Sequence, residues 1–245
     1  MEERYILSEE EARTFHDFLL FIERCGAKGI EPIMLGAYAV KIYTKRERPT
    51  LDIDMWMEHS AFRDAAAIME GIGYEIRKTE SMFKAIKAKE GTESVIHILK
   101  GEPQSETHLV GIILSTDRRP FRRAALITLE GKQLRVRVPS LEALLLMKLM
   151  SLGLDREQDI VDVINLLLER FDDLNLRSFR TKAFETNFNW DIRSQVTKLA
   201  QWLDHGELDR IWEGYQQRKF LKREKERIKT ALRELERGLS QEKIL

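Results

Sequence analysis

The chain has 245 residues with 43% hydrophobic and 33% charged side chains, a balance that excludes a disordered chain and indicates a globular protein. Basic and acidic residues both number 41, which excludes a global attraction to nucleic acid, and the single cysteine excludes an intramolecular disulfide or a cysteine-rich zinc site. The acidic N-terminus does not fit a signal peptide and no apolar run is long enough to span a bilayer, so we expect a cytoplasmic protein without a membrane partner.

Helices and strands alternate in the first half of the chain. An amphipathic helix is predicted after residue 8, followed by a short buried strand over residues 32–35 and a short helix that begins at residue 37. Residues 50–57 alternate polar and apolar side chains, which is the periodicity of a strand. A helix over residues 60–73 comes next, and short strands are predicted at residues 74–80, 83–90, 94–100, 124–130 and 132–139.

The pattern turns helical at Pro139 and stays helical. Helices are predicted over residues 140–153, 156–171 and 191–206, and a last helix is predicted from Glu207 to the C-terminus. The change in composition predicts two domains, a mixed domain over residues 1–138 and a helical domain over residues 139–245.

Two aspartates, Asp52 and Asp54, stand two residues apart in the strand predicted over residues 50–57. Side chains alternate between the faces of a strand, so both carboxylates point to the same side. Such a pair repels unless it is solvated or shares a cation, and its oxygens suit a hard ion such as Mg²⁺. By itself the pair is equally compatible with the solvated edge of a sheet.

A second feature lies upstream, where Gly36 separates the strand over residues 32–35 from the helix that begins at Ala37. The free N–H groups and the positive dipole end of a helix start can hold a phosphate. A glycine at this position lets the backbone approach the phosphate closely. Alone, the feature is more often an ordinary glycine before a helix.

Together the two features resemble the active-site pattern of the DNA polymerase beta-type nucleotidyltransferases. The segment from Arg48 through Thr50 and Asp52 to Asp54 is similar to the Arg-x-Thr-x-Asp-x-Asp sequence of the minimal, AbiEii-like branch, which includes toxins of toxin–antitoxin pairs. The resemblance implies an α+β fold, with a nucleotidyltransferase-type mixed β-sheet and flanking helices followed by an all-helical C-terminal region.

The resemblance also implies the roles of individual residues. It makes Asp52 and Asp54 catalytic residues and the ligands of Mg²⁺ or Mn²⁺. It places a further set of residues at the nucleotide, namely Gly36, Ala37, Arg48 and Thr50.

A third feature is Lys148, which falls on the apolar face of a helix that Ser140 is predicted to cap. The lysine either snorkels to the flank of the helix or reaches a phosphate or carboxylates at a cleft. The next helix contains Arg156-x-x-Asp159, with Asp162 beyond it. AbiEii-like proteins have a similar pair of helices, so the resemblance implies that Lys148 and Asp159 are catalytic, that Lys148 also binds the nucleotide, and that Asp162 is a weaker candidate.

Two positions depart from the superfamily pattern. Many members have a serine after the glycine, where this chain has Ala37, so one phosphate contact is missing. Polymerase-like members also have a third carboxylate on a later strand, where this chain has His97. A histidine could accept a proton from an attacking hydroxyl but is a poor ligand for Mg²⁺, and a hydrogen-bonded core histidine is an equal alternative.

The function implied by the resemblance is transfer of a nucleoside monophosphate from an NTP to a hydroxyl of a tRNA, another RNA or a protein. An alternative is an inactive scaffold of the same fold that binds RNA or a partner. A basic stripe in the last helix bears on that alternative, because it could contact a phosphate backbone, an antitoxin or a second copy of the chain, or could be only a solvated face. The stripe consists of Arg218, Lys219, Lys222, Arg223, Lys225, Arg227 and Lys229.

Overall fold

The structure is a computed structural model that describes residues 9–44, 50, 52–79, 82–89, 92–100, 113, 123–129, 132–152 and 156–240. Among these residues two compact units are distinguished. The first comprises the described residues within the ranges 1–38, 49–111 and 122–138, and the second comprises those within the ranges 39–48, 112–121 and 139–245. No helix of the described ranges is both long enough and apolar enough to cross a membrane.

The first unit contains a seven-stranded mixed sheet in the order β3-β4-β5-β2-β1-β7-β6. Strand β2 runs parallel to β5 and β1 runs parallel to β7, whereas the other neighbours are antiparallel. The predicted strands are confirmed, with bounds β1 Ile33–Met34, β2 Asp52–Met57, β3 Glu75–Lys78, β4 Met82–Lys89, β5 Thr92–Lys100, β6 Arg123–Leu129 and β7 Lys132–Val138.

Helix α1 (Glu9–Ala27) packs on the sheet through the apolar stripe that the sequence predicts. Phe15, Phe18 and Leu19 on this stripe are buried. Thr14 hydrogen-bonds Ser94 at 2.8 Å, so α1 lies on the face of β5 that carries Ser94. His97 points to the opposite face of the same strand. Two further helices begin or lie in this unit, α2 (Gly36–Tyr43) and α3 (Phe62–Glu70).

The second unit is built from helices around an apolar core. Its helices are α4 (Leu141–Ser151), α5 (Glu157–Arg170), α6 (Leu176–Glu185), α7 (Asn189–His205), α8 (Glu207–Gln216) and α9 (Lys222–Ser240). Ser140 caps α4 as predicted, because its hydroxyl accepts a hydrogen bond from the Ala143 N–H at 3.2 Å.

The prediction of one continuous helix from Glu207 onward is wrong, because α8 and α9 are separate. Gln217 adopts a left-handed conformation with φ of 52°, which ends α8. Trp212 stacks on Phe220 with ring centroids 4.5 Å apart, so an aromatic contact spans the segment that separates the two helices. Burial of two aromatic rings therefore prevails over helix propensity in the connecting segment.

We expect Glu224→Ala to lower the free energy of unfolding by about 1–3 kcal/mol, because Glu224 organises the connection between α8 and α9. Its buried carboxylate accepts two hydrogen bonds of 2.8 Å from Arg218 and one of 2.9 Å from the Leu221 N–H. Chemical denaturation measures the change. The exposed Glu226→Ala is the matched control, and an equal loss in both variants would contradict this role.

Candidate functional site

The strands β2 and β5 bring Asp52, Asp54 and His97 to one face of the sheet. In the parallel register Asp54 pairs with His97, and Asp52 lies two residues before Asp54. The intervening Ile53 and Met55 are fully buried on the opposite face. Strand periodicity therefore separates a polar cluster from the core within the same six residues.

The three side chains form a compact cluster of possible metal ligands. The Nδ1 atom of His97 lies 3.1 Å from an oxygen of Asp54 and 3.9 Å from an oxygen of Asp52. One ligand atom from each of the three residues lies within 4.8 Å of the other two. The side chains of Asp52, Asp54 and His97 are 48%, 34% and 20% exposed, so an ion from solvent can reach them.

The cluster carries negative charge that the described part of the chain does not neutralise. Thr50 donates a hydrogen bond from its hydroxyl to an Asp52 oxygen at 3.1 Å and is itself buried. No lysine or arginine of the described ranges forms an ion pair with Asp52 or Asp54. The Asp52 and Asp54 carboxylates offer ligand atoms within 4.8 Å of each other and therefore repel, and a bound cation would relieve that repulsion.

Gly36 lies directly against the Asp54 carboxylate. Its φ of 61° belongs to the left-handed region, and a Cβ atom at this position would overlap an Asp54 oxygen and lie 3.1 Å from the Asp54 Cγ atom. The Leu35 N–H also donates to the Asp54 carbonyl at 2.7 Å. A glycine is therefore required at position 36 for two reasons, the left-handed backbone and the room that the Asp54 carboxylate needs.

The second unit holds a buried ionic cluster at Lys148. Its ammonium group lies 2.6 Å from an oxygen of Asp159 and 2.8 Å from an oxygen of Asp162. Asp159 also lies 3.3 Å from the Arg156 Nε atom, at spacing i to i+3. This cluster joins α4 to α5, so Lys148 contacts two buried carboxylates and does not snorkel to solvent. Its predicted position at a cleft or a phosphate stays a prediction.

The charges of this cluster stabilise one another. Burial alone would lower the pKa of Lys148, but Asp162 and Asp159 outweigh burial and raise the pKa above its ordinary value of 10.5. Burial likewise opposes ionisation of Asp159, but the charge of Lys148 and its hydrogen bond hold the pKa of that carboxyl below 3.8. Lys148 and Asp159 are therefore both charged at neutral pH.

The remaining predicted residues have the following positions. Ala37 is buried in the first turn of α2, and Thr50 contacts Asp52 rather than standing apart from the carboxylate pair. Arg48 lies outside the described residues. The direct contact of Arg156 with Asp159 was not assigned from the sequence, although their spacing of three residues on a helix was a signal for it.

Much of the basic stripe is engaged within the protein. Lys225 pairs with Asp209 at 2.7 Å, and Lys229 pairs with Asp204 at 2.8 Å. Two arginines are also paired, Arg218 with Glu224 and Arg227 with Asp172. The stripe thus acts largely as a set of ion pairs that hold α9 to neighbouring segments, which weakens the support it gives to an RNA-binding scaffold.

Comparison with known proteins bears on the fold. No protein-family model and no curated protein matches the sequence. The solved structure of JHP933 from Helicobacter pylori is similar over 96% of this chain and 95% of its own, with a TM-score of 0.58 and 12% identity. A candidate nucleotidyltransferase from H. pylori is similar over 95% of this chain and 97% of its own, with a TM-score of 0.57 and 12% identity.

These similarities show the fold alone, because the identities are low. The chain has the nucleotidyltransferase-type α+β fold that the sequence predicts, with a mixed sheet followed by a helical C-terminal region. A further structure, ANT(2″)-Ia in complex with adenylyl-2″-tobramycin, has a TM-score of 0.45, 12% identity and coverage of 77% of this chain and 98% of its own. That similarity is too low to support an argument about this protein.

Proposed function

We propose that this protein is a metal-dependent nucleotidyltransferase that transfers a nucleoside monophosphate from an NTP to a hydroxyl of an RNA, such as tRNA, or of a protein. The observation that carries the proposal is the cluster of Asp52, Asp54 and His97, packed against Gly36 at the start of α2. The finer assignment to the AbiEii-like branch, with a toxin role and an antitoxin or homodimer partner, rests on the sequence motifs.

The donor set fits a divalent cation. Asp52 and Asp54 offer oxygens on one strand face, they are partly exposed, and no lysine or arginine in the described part of the chain forms an ion pair with them. These two aspartates would hold the ion. When bound, a divalent cation neutralises charge on the phosphates and aligns the attacking and leaving oxygens.

The backbone at the start of α2 would bind the triphosphate. The first N–H groups of a helix have no partner within the helix, and the helix dipole favours an anion there. Gly36 and Ala37 occupy this position, and the Asp54 carboxylate lies against Gly36. The acceptor hydroxyl loses its proton to solvent as its oxygen bonds to the α-phosphorus of the NTP. The bond from the α-phosphorus to the oxygen of the β-phosphate breaks, and pyrophosphate leaves.

We assign Lys148 and Asp159 to the same function as a proposal. The 2.6 Å contact between Asp159 and Lys148 supports a role for Asp159 in orienting that lysine. Contact of Lys148 with a phosphate stays a prediction. The position of Arg48 at the nucleotide also stays a prediction.

The test is label transfer with purified protein. The protein is incubated with Mg²⁺ or Mn²⁺, each α-³²P-labelled NTP in turn, and total tRNA or a mixture of proteins. We expect label in a macromolecule, and a loss of about 100-fold or more in Asp54→Asn, which keeps the shape of the side chain and removes the charge. Glu58→Gln, an exposed acid just beyond β2, is the control and should retain transfer.

The alternative scaffold function predicts a different result. If wild type and Asp54→Asn bind tRNA equally well and neither transfers label with any metal or nucleotide, the result contradicts the enzyme and supports the scaffold. The basic residues with no ion pair among the described contacts, Lys219, Lys222 and Arg223, would then be the first positions to neutralise.

A further inference from the structure

We propose that His97 is the third ligand of the metal, through its Nδ1 atom, and that the site therefore prefers a divalent first-row transition ion to Mg²⁺. The inference rests on the proposed function and deepens it, because it assigns both the role of His97 and the class of cation. It selects the metal-ligand role for His97 over the proton acceptor and the core histidine that the sequence left open.

The direction of the imidazole supports this assignment. His97 Nδ1 lies 3.1 Å from one carboxylate and 3.9 Å from the other, so one ring nitrogen faces both aspartates. A core histidine that only satisfies its own hydrogen bond needs one acceptor, whereas the Nδ1 atom of His97 lies within 4 Å of two carboxylates. The register that pairs Asp54 with His97 on adjacent parallel strands fixes this arrangement through the backbone.

The two distances from His97 Nδ1 to the carboxylates suit ligands around one ion. With metal–ligand bonds of about 2.1 Å, two neighbouring ligand atoms stand about 3.0 Å apart in an octahedral shell and about 3.4 Å apart in a tetrahedral one. The observed separations of 3.1 and 3.9 Å bracket the tetrahedral distance. Small side-chain rotations of the partly exposed aspartates would bring all three ligand atoms to one ion and leave its other positions open for phosphate oxygens.

The chemistry of the donors determines the selectivity. Mg²⁺ favours oxygen ligands and rarely takes imidazole, whereas Mn²⁺, Co²⁺ and Zn²⁺ accept a mixed set of carboxylate and imidazole. Two carboxylates and one imidazole therefore favour a transition ion. A third carboxylate at position 97 would return the site to an all-oxygen set that suits Mg²⁺.

The test measures metal binding without nucleotide. Calorimetry of the apo protein gives the affinities for Mg²⁺, Mn²⁺ and Co²⁺ in wild type and in His97→Asp. We expect wild type to bind Co²⁺ or Mn²⁺ at least about tenfold more tightly than Mg²⁺, and His97→Asp to lower that ratio by about 10–100-fold. His16→Gln, an exposed histidine on α1, is the control and should leave the ratio unchanged.

A second measurement needs no variant of the site. Pulsed EPR of Mn²⁺ bound to the wild-type protein should show coupling to a ¹⁴N nucleus of an imidazole, and that coupling should persist in His16→Gln. Equal affinities for Mg²⁺ and the transition ions, or the absence of the nitrogen coupling, would overturn the inference.

The results separate the inference from the proposed function. If metal binding depends on His97 but no label is transferred with any metal, the result supports the metal site and contradicts the enzyme. Label transfer that depends on Asp54, together with a metal preference that His97→Asp does not alter, supports the enzyme and contradicts the role of His97.

Discussion

Replacement of Lys148 by methionine is expected to lower the free energy of unfolding by about 3–5 kcal/mol, the usual cost of removing one partner of a buried ion pair. Lys148 is only 7% exposed, and its ammonium group neutralises two carboxylates that are themselves buried. Methionine fills a similar volume, so the loss comes from stranded charge rather than from a cavity. Urea denaturation followed by circular dichroism measures it.

The control removes the stranded charge as well. The triple variant Lys148→Met, Asp159→Asn, Asp162→Asn has no buried ion in the cluster, so we expect it to recover most of the stability that the single variant loses. If the triple variant is as unstable as Lys148→Met, the loss arises from packing and not from charge.

The dependence on pH has a defined sign. The pKa of Asp159 is lowered by folding, so its contribution is present above the ordinary value of 3.8 and is lost as pH falls through the folded value. The pKa of Lys148 is raised, so its contribution is complete below the ordinary value of 10.5 and is lost as pH rises through the folded value. The difference in unfolding free energy between wild type and Lys148→Met should therefore be largest between pH 3.8 and pH 10.5. A difference that grows in acid would contradict the ion pair as its source.

Gly36→Ala is expected to weaken metal binding and label transfer by at least about tenfold and to lower stability by more than about 1–2 kcal/mol, the cost of a left-handed alanine. The new Cβ would meet the Asp54 carboxylate, which must move from its place beside His97. Calorimetric metal titration and the transfer assay measure the functional loss, and thermal unfolding measures the structural one.

Gly29→Ala is the matched control. Gly29 has a φ of 72°, close to that of Gly36, but no described atom lies within 4 Å of the position its Cβ would occupy. We expect the same backbone strain in this variant with metal binding and transfer intact. A Gly36→Ala protein that binds metal like wild type would show that the Asp54 carboxylate adjusts freely, and the close contact would then have no functional role.

The sequence by itself determined the elements and the chemical types of the site. The strand periodicity over residues 50–57 placed Asp52 and Asp54 on one face, and β2 bears this out. The same periodicity found the other strands, because local alternation of polar and apolar side chains is a property of adjacent residues. The helical face that contains Lys148 was also evident, since a charge among leucines at helical spacing needs a partner.

Contacts between distant residues were decided only by the tertiary structure. The parallel pairing of β2 with β5 brings His97 to Asp54 across 43 residues, and no local pattern specifies which strands become neighbours. The turn between α8 and α9 depends on the packing of Trp212 against Phe220, which outweighs the helical pattern of the connecting segment. For Gly36 both the sequence and the tertiary structure matter. The sequence predicts its place before a helix, whereas its contact with Asp54 follows from the pairing of β1 with β2. Periodicity is set by neighbours along the chain, but the geometry of the site depends on side chains that meet only after the sheet has formed.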